Sequence, residues 1–361
     1  MSKYLSAQAV QHYPGWDEFY QTPIEEKLDF FRSDGRLYDM VFAQQFDRAS
    51  LDHLCTLADK TRQLAKTKTG SALLRGLLAH KRAMLYFAQP SSRTFLSFLN
   101  ACQILGMQTS EIRDTSTSSE IKGESPEDAI RTFASYTDLI IMRTPVAGFA
   151  EKTAWVLNNT NRPVPVLNGG SGSSHHPTQA LLDIYTLEKS FSSIGGLDGK
   201  KIAMVGDLGR GRTVRSLSQL MKYYKDMTLY YVSPEQFRMK DDIKDYLKKN
   251  NIPFHETTDF KSVMSEADAI YMTRIQREYA DDPSRDQEDY PDFFFNEDDL
   301  ARIQSHCVIM HPLPRRYEID VAVDKDPRAV YWRQERNGMW IRAALMAHIF
   351  GVEDTILNEF K

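Results

Sequence analysis

The sequence predicts an α/β protein made of two doubly wound parallel-sheet domains. Three observations predict it. Seven short apolar runs, Met84–Phe87, Leu139–Met142, Val164–Leu167, Ile202–Val205, Thr228–Val232, Ala269–Met272 and Cys307–Met310, have the length and the branched or aromatic content of strands buried on both faces. Helical patterns separate these runs. The alternation then restarts at the turn Leu197-Asp-Gly-Lys-Lys201, in a chain of 361 residues, enough for two domains at about 150 residues each.

Each segment has its own local signal. Residues 1–45 are polar with scattered aromatics and read as an N-terminal extension. Residues 46–185 form the first domain, residues 186–337 the second, and a C-terminal helix over 338–361 returns to complete the first. In the first domain, Phe95, Phe98, Leu99 and Cys102 recur at i, i+3, i+4 and i+7, with Gly106 placed to stop the helix. Ser125-Pro126-Glu127-Asp128 carries a capping serine, a proline at the first helical position and an acid three residues on. Ile341, Ala344, Leu345, His348 and Ile349 repeat the helical stripe near the C-terminus.

Composition narrows the function classes. Hydrophobic residues make up 42% and charged residues 26%, with a net charge of −4, which is the profile of a folded globular chain. No basic excess favours nucleic acid or an anionic membrane, and no apolar run approaches the roughly 20 residues that span a bilayer. The three cysteines, Cys55, Cys102 and Cys307, have neither disulfide-framework nor metal-ligand spacing, which fits a reducing compartment. The first residues lack the apolar core of a secretory signal, so the sequence is expected to be cytoplasmic.

In open parallel sheets, ligands bind beyond the carboxyl ends of the strands. Six of the seven runs end in Arg, His or both: Gln89-Pro-Ser91-Ser92-Arg93-Thr94, Arg143, Asn168 through His175-His176-Pro-Thr-Gln179, Gly206 through Arg212-Thr213, Thr273-Arg274-Ile-Gln276, and His311-Pro-Leu313-Pro314-Arg315. One such arginine is an ordinary surface charge. Six cationic ends predict an anion-binding active site in the cleft between the domains, with Arg93, Arg143, Arg212, Arg274 and Arg315 converging on it. Ser-Ser-Arg-Thr opening a helix has the chemistry of a phosphate cradle: free amides, a helix dipole, hydroxyls and a bidentate guanidinium. The same tetrapeptide alone is more often a plain helix cap with a solvated arginine. Gly206 to Thr213 has the spacing of a nucleotide-binding phosphate loop, but Arg212 replaces its lysine, and no later strand ends in an Asp suited to hold magnesium.

Together these segments resemble the aspartate/ornithine carbamoyltransferase family. Ser91-Ser92-Arg93-Thr94 is similar to its carbamoyl phosphate loop, Lys122-Gly-Glu to a loop that enters a neighbouring subunit's site, and Arg143, His176-Pro-Thr-Gln179 and His311-Pro-Leu-Pro-Arg315 to its remaining phosphate-side motifs. Met204-Val-Gly-Asp-Leu-Gly-Arg-Gly-Arg212-Thr-Val and Tyr271-Met-Thr-Arg274-Ile-Gln276 resemble the aspartate branch. The resemblance implies transfer of a carbamoyl group from carbamoyl phosphate to the amine of L-aspartate, with no metal or organic cofactor, in a homotrimer with shared sites.

It also implies the residues. Ser91, Ser92, Arg93, Thr94 and Arg143 grip the phosphate; Thr94, Arg143 and His176 hold the carbonyl oxygen; Gln179 and the Leu313 carbonyl meet the carbamoyl group. Lys122, Arg212, Arg274, Gln276, Leu313 and Pro314 receive aspartate. Arg93, Thr94, Lys122, Arg143 and His176 form the catalytic set. Four positions depart from the family pattern: Phe95 and Gln89 stand where an Arg and a Glu are usual, Ile121 replaces a lysine, and Tyr317 replaces an Asp. Phe95 suits the apolar stripe of its helix, so packing replaces a structural ion pair there. Rival readings are a carbamoyltransferase for another amino acid, a non-catalytic scaffold of the same fold, and the nucleotide hydrolase.

Overall fold

A computed structural model describes residues 15–113, 124–172, 176–275 and 290–359. In chain order the elements are α1 (Trp16–Gln21), α2 (Ile24–Lys27), a hairpin of β1 (Arg32–Ser33) and β2 (Arg36–Leu37), α3 (Arg48–Leu64), α4 (Lys68–Leu77), β3 (Arg82–Phe87) and α5 (Ser92–Ile104). Then come β4 (Gln108–Ile112), α6 (Pro126–Tyr136), β5 (Leu139–Thr144), α7 (Phe149–Asn158), β6 (Val166–Ser171) and α8 (Pro177–Phe191). The second half contributes β7 (Lys201–Val205), α9 (Arg212–Leu220), β8 (Thr228–Val232), α10 (Asp241–Lys249), β9 (Phe254–Thr257), α11 (Phe260–Met264), β10 (Ala269–Met272), β11 (Val308–Met310), α12 (Tyr331–Ile349) and α13 (Glu353–Asn358).

The expected α/β class is what the chain adopts. It divides into two units, Met1–Phe46 with Asp52–Thr178 and Met339–Lys361, and Asp47–Leu51 with Gln179–Gly338. Each unit holds one parallel sheet, ordered β4-β3-β5-β6 in the first and β11-β10-β7-β8-β9 in the second. All seven apolar runs become strands, although Val164–Leu167 starts two residues late and continues to Ser171. The polar residues of that continuation are satisfied: Asn168 Nδ2 donates to the Val41 carbonyl at 3.0 Å, and its Oδ1 accepts from Gly170 N at 2.8 Å.

Two longer strands have no apolar run. β4 and β9 lie at sheet edges and are largely exposed, so Gln108–Ile112 and Phe254–Thr257 have little apolar surface to hide. The opposite edges, β6 and β11, are covered by irregular chain: Met40 bridges to Leu167, and Ala329 to Ile309. Among the described residues, the covered edges are buried on both faces and read as apolar, and the uncovered ones do not.

Local signals account for the helix ends that shape the site. Ser125 Oγ accepts from Asp128 N at 3.1 Å, with Pro126 as the first helical residue of α6. α5 stops at Gly106, whose φ of +81° lets its N–H reach the Gln103 carbonyl while Met107 N reaches that of Cys102. A Cβ at Gly106 would meet the Arg75 carbonyl oxygen at 1.8 Å.

The described part of the N-terminal extension packs firmly on the first unit. Trp16 and Phe19 stack against Trp155 of α7, and Phe31 meets Phe42. Under this aromatic cover Lys27 and Glu151 form an ion pair at 2.5 Å, their side chains 4% and 5% exposed. Burial raises the Glu151 pKa, and Lys27 opposes that rise. Breaking a buried pair strands the surviving charge. Glu151→Gln should therefore lower unfolding stability by about 3–5 kcal/mol in urea denaturation; a change under 1 kcal/mol would contradict it. Among the described residues, no helix is long and apolar enough to cross a membrane.

Candidate functional site

The first unit gathers its cationic residues at the carboxyl ends of β3, β5 and β6. α5 begins directly after β3. Its N-cap Ser91 is extended, with φ −164°, and its side chain makes no capping bond. Ser92, Arg93 and Thr94 thus occupy the first turn, where amides and the helix dipole favour an anion. Thr94 is buried, while Ser92 and Arg93 are exposed. Phe95 turns inward beside Phe87, with ring centroids 5.3 Å apart, and the Arg113 guanidinium lies 4.4 Å over its ring. The apolar packing expected of Phe95 is present.

Arg143 lies at a break in register. β5 and β6 pair Met142 with Asn168 and next Thr144 with Ser171, so Gly169 and Gly170 together oppose Arg143. Such a bulge re-aims side chains locally. Arg143 Nη1 donates to the Gly169 carbonyl at 3.1 Å and lies 3.4 Å from His176 Nε2. A side chain at position 169 would press on the Met142 carbonyl at 3.1 Å, with Thr94 Cγ2 at an ordinary contact distance of 3.6 Å. Arg143 and His176 are 8% and 4% exposed. Arg143 thus links His176 to the Gly169 carbonyl, and the Thr94 methyl lies near the same glycine.

The second unit has its own cationic strand ends. Arg212 is the first residue of α9, and Arg274 lies two residues past β10; both are half-buried. Arg274 lines a depression with Tyr290, Phe293, Phe294, Arg316, Tyr317 and Glu318. The turn after β11 is fixed by its histidine. Leu313 N donates to His311 Nδ1 at 2.7 Å, which leaves His311 Nε2 to donate to Glu318 Oε1 at 2.8 Å. Burial opposes ionisation of Glu318 most strongly, but the His311 bond and charge together with backbone N–H donors outweigh it and hold the carboxyl below its usual range. Leu313 adopts φ +49°, and the Leu313–Pro314 bond is cis.

Two sequence expectations change here. His311 is fully buried and serves the turn. Arg315 forms a two-pronged pair with Asp324 and a 3.2 Å bond to Tyr331 Oη, so it is a neutralised structural cation and not one of a convergent set. Lys122, Ile121, Gln276 and His175 lie outside the described residues.

A buried network escaped the sequence reading. Asp183, four residues after Gln179 on α8, accepts from Gln179 Nε2 at 3.0 Å, Gln334 Nε2 at 2.7 Å and Tyr271 Oη at 2.8 Å. Gln334 Oε1 accepts in turn from His311 N at 2.9 Å. Burial pushes the Asp183 carboxyl up to about 7 against these three hydrogen bonds. The available signal was an acid inside the apolar run Ala180-Leu-Leu-Asp183-Ile184, one helical turn from a polar candidate.

Comparison with known families settles the kinship. Residues 39–189 match the carbamoyl-P binding domain of aspartate/ornithine carbamoyltransferases, and residues 198–349 match their Asp/Orn binding domain. The chain belongs to the aspartate/ornithine carbamoyltransferase family. Among its relatives is the chloroplastic aspartate carbamoyltransferase 1 of Pisum sativum, 43% identical over 86% of this chain and 78% of that protein. The aspartate carbamoyltransferase catalytic subunit of Thermococcus gammatolerans is 37% identical over 87% of this chain and 98% of its own length. A Trypanosoma cruzi aspartate transcarbamoylase solved with carbamoyl aspartate and phosphate is 33% identical, with a TM-score of 0.77 over 85% of this chain and 94% of that one.

This kinship corrects the cytoplasmic expectation. The Pisum sativum and Arabidopsis thaliana members of the family at 43–44% identity are chloroplastic enzymes. The features used, cysteine spacing and the lack of a secretory core, test only the secretory route; plastid transit segments are amphipathic and carry no apolar core. The nucleotide-hydrolase rival also falls, because Gly206–Thr213 lies within the Asp/Orn binding domain of the family.

Proposed function

We propose that the protein transfers the carbamoyl group of carbamoyl phosphate to the α-amine of L-aspartate, giving N-carbamoyl-L-aspartate and phosphate, the reaction that feeds pyrimidine biosynthesis. One observation carries the chemistry: Arg143 and His176 meet at 3.4 Å, largely buried, and Arg143 also holds the carbonyl of Gly169, which lies near Thr94. A buried guanidinium beside an imidazole and a threonine suits the oxygen of a carbonyl becoming tetrahedral.

In this reading Ser91, Ser92, Arg93, Thr94 and Arg143 bind the phosphate, with the α5 amides and dipole behind them. The neutral amine of aspartate attacks the carbonyl carbon. Thr94, Arg143 and His176 hold the negative charge that develops on its oxygen. The intermediate collapses by breaking the bond to the phosphate oxygen, and the departing phosphate takes the proton that the amine loses. Gln179 and the Leu313 carbonyl orient the carbamoyl N–H₂. Arg212, Arg274 and Gln276 bind the two carboxylates of aspartate, and Pro314 shapes that side of the site. An ornithine side chain would bring its ammonium against Arg274, which disfavours it. Much of the acceleration comes from holding two anions in attack geometry.

The deciding assay supplies carbamoyl phosphate with aspartate, ornithine or other amines and follows phosphate and carbamoylated product. Turnover with aspartate is expected. Turnover with ornithine alone would remove the aspartate assignment, and none with any amine would favour a scaffold.

We also propose a homotrimer in which Lys122 acts in the neighbouring subunit's site. Lys122→Ala and Arg93→Ala chains, each nearly inactive alone, should regain activity on mixing, because each mixed trimer then contains a site with both residues intact. Mixtures no better than their parents would count against shared sites.

A further inference from the structure

Accepting carbamoyl phosphate as substrate, we infer that Asp183 is a positioning residue that sets the orientation of the Gln179 amide and so makes the site select an acyl group bearing N–H₂.

A glutamine amide has two ends of nearly equal shape, one donating and one accepting, and only its partners decide which end faces where. At Gln179 the partner is an ionisable carboxylate. Gln179 Nε2 donates to Asp183 Oδ1 at 3.0 Å, and the opposite end of the amide is consequently its acceptor oxygen. The carboxylate is in turn held in place. Gln334 Nε2 donates to the same Oδ1 at 2.7 Å, and Tyr271 Oη donates to Oδ2 at 2.8 Å. Asp183, Gln334 and Tyr271 are fully buried, and Gln179 is 6% exposed, so none of them has water as an easy alternative partner.

All three neighbours are donors, so the centre must be an acceptor. Reversing the Gln179 amide would set its oxygen against Asp183 Oδ1 and, with the carboxyl ionised, leave two acceptors facing each other. The cluster therefore specifies one of the two orientations. It also reaches the turn after β11, because Gln334 Oε1 accepts from His311 N at 2.9 Å. One carboxylate thus anchors both an amide on α8 and the strand exit that carries Leu313.

The chemical consequence concerns selectivity. Carbamoyl phosphate and acetyl phosphate share the phosphate and the carbonyl and differ by N–H₂ against CH₃. An outward-facing glutamine oxygen rewards the first and gives the second nothing. A site whose polar group goes unpaired with the wrong substrate discriminates strongly.

The test compares the KM for carbamoyl phosphate with the inhibition constant of acetyl phosphate, at saturating aspartate, in the full-length protein. Asp183→Ala should reduce the preference for carbamoyl over acetyl phosphate by about tenfold or more, the weight of one lost oriented hydrogen bond. Asp183→Asn should keep it within about threefold, since its oxygen can still accept from Gln179 while the Tyr271 hydroxyl accepts from the new N–H₂. A purely structural role would weaken both ligands together, and such parallel loss overturns the inference. So does an asparagine variant as unselective as the alanine one. Should Asp183→Ala fail to fold, a crystal structure of the wild-type protein with carbamoyl phosphate decides. The carbamoyl nitrogen within hydrogen-bond distance of the Gln179 amide atom remote from Asp183 supports the inference, and a carbamoyl nitrogen without that contact overturns it. Wild-type turnover keeps the two failures apart: a wild-type protein inactive with carbamoyl phosphate and aspartate refutes the function itself, whereas an active one with a selective Asp183→Ala variant refutes only the role of Asp183.

Discussion

Arg143→Ala should lower kcat by about a thousandfold, the upper range for removing one donor from an oxyanion site. The size follows from its position. Arg143 is 8% exposed, and its guanidinium lies 3.4 Å from His176 Nε2 and is steadied by the Gly169 carbonyl, so neither water nor another side chain can easily replace its charge. Arg143→Lys should recover little, because a single ammonium cannot reproduce a planar fork with several fixed donors. Steady-state kinetics with carbamoyl phosphate and aspartate measures the effect, and a thermal melt confirms that the variant is folded. A fall in kcat of less than tenfold in a folded variant would remove Arg143 from the oxyanion role.

Arg274→Ala should raise the KM for aspartate by about a hundredfold and leave that for carbamoyl phosphate within about threefold, since a charge-assisted hydrogen bond is worth about 1.5–3 kcal/mol. Arg274 is on the second unit, half-buried past β10, while Thr94, Arg143 and His176 are all on the first. That separation makes the expected defect one-sided. Equal weakening of both substrates would show that Arg274 is not a dedicated carboxylate partner.

What the sequence disclosed depended on burial. Runs such as Leu139–Met142 and Ala269–Met272 are covered on both faces, and that alone makes them legible as strands. β4 and β9 obey the same hydrogen-bond geometry but stand at bare edges, where polar residues are allowed and the apolar signal disappears. The candidate site divided in a similar way. Residues that stand at strand ends, Arg93, Thr94, Arg143 and His176, were visible because their chemistry is unusual there. The distinction between Arg143 and Arg315 was not visible, since it depends on Asp324, nine residues further along the chain, closing on the second of them. Asp183 stayed hidden for a related reason: its partners Tyr271 and Gln334 are 88 and 151 residues away in sequence.

The four edges of the two sheets also bear on self-association. A bare edge is a template for adding another strand, and chains defend it either with polar side chains or with a physical cover. Gln108, Ser110 and Glu111 on β4 use the first defence, and Met40 over β6 uses the second. The N-terminal extension therefore acts as a seal as well as a packing element. Its removal would uncover an uncharged strand with nothing on it to repel a neighbour. For such a shortened chain, joining edge to edge with its own copies would be a greater hazard than any loss at the catalytic residues.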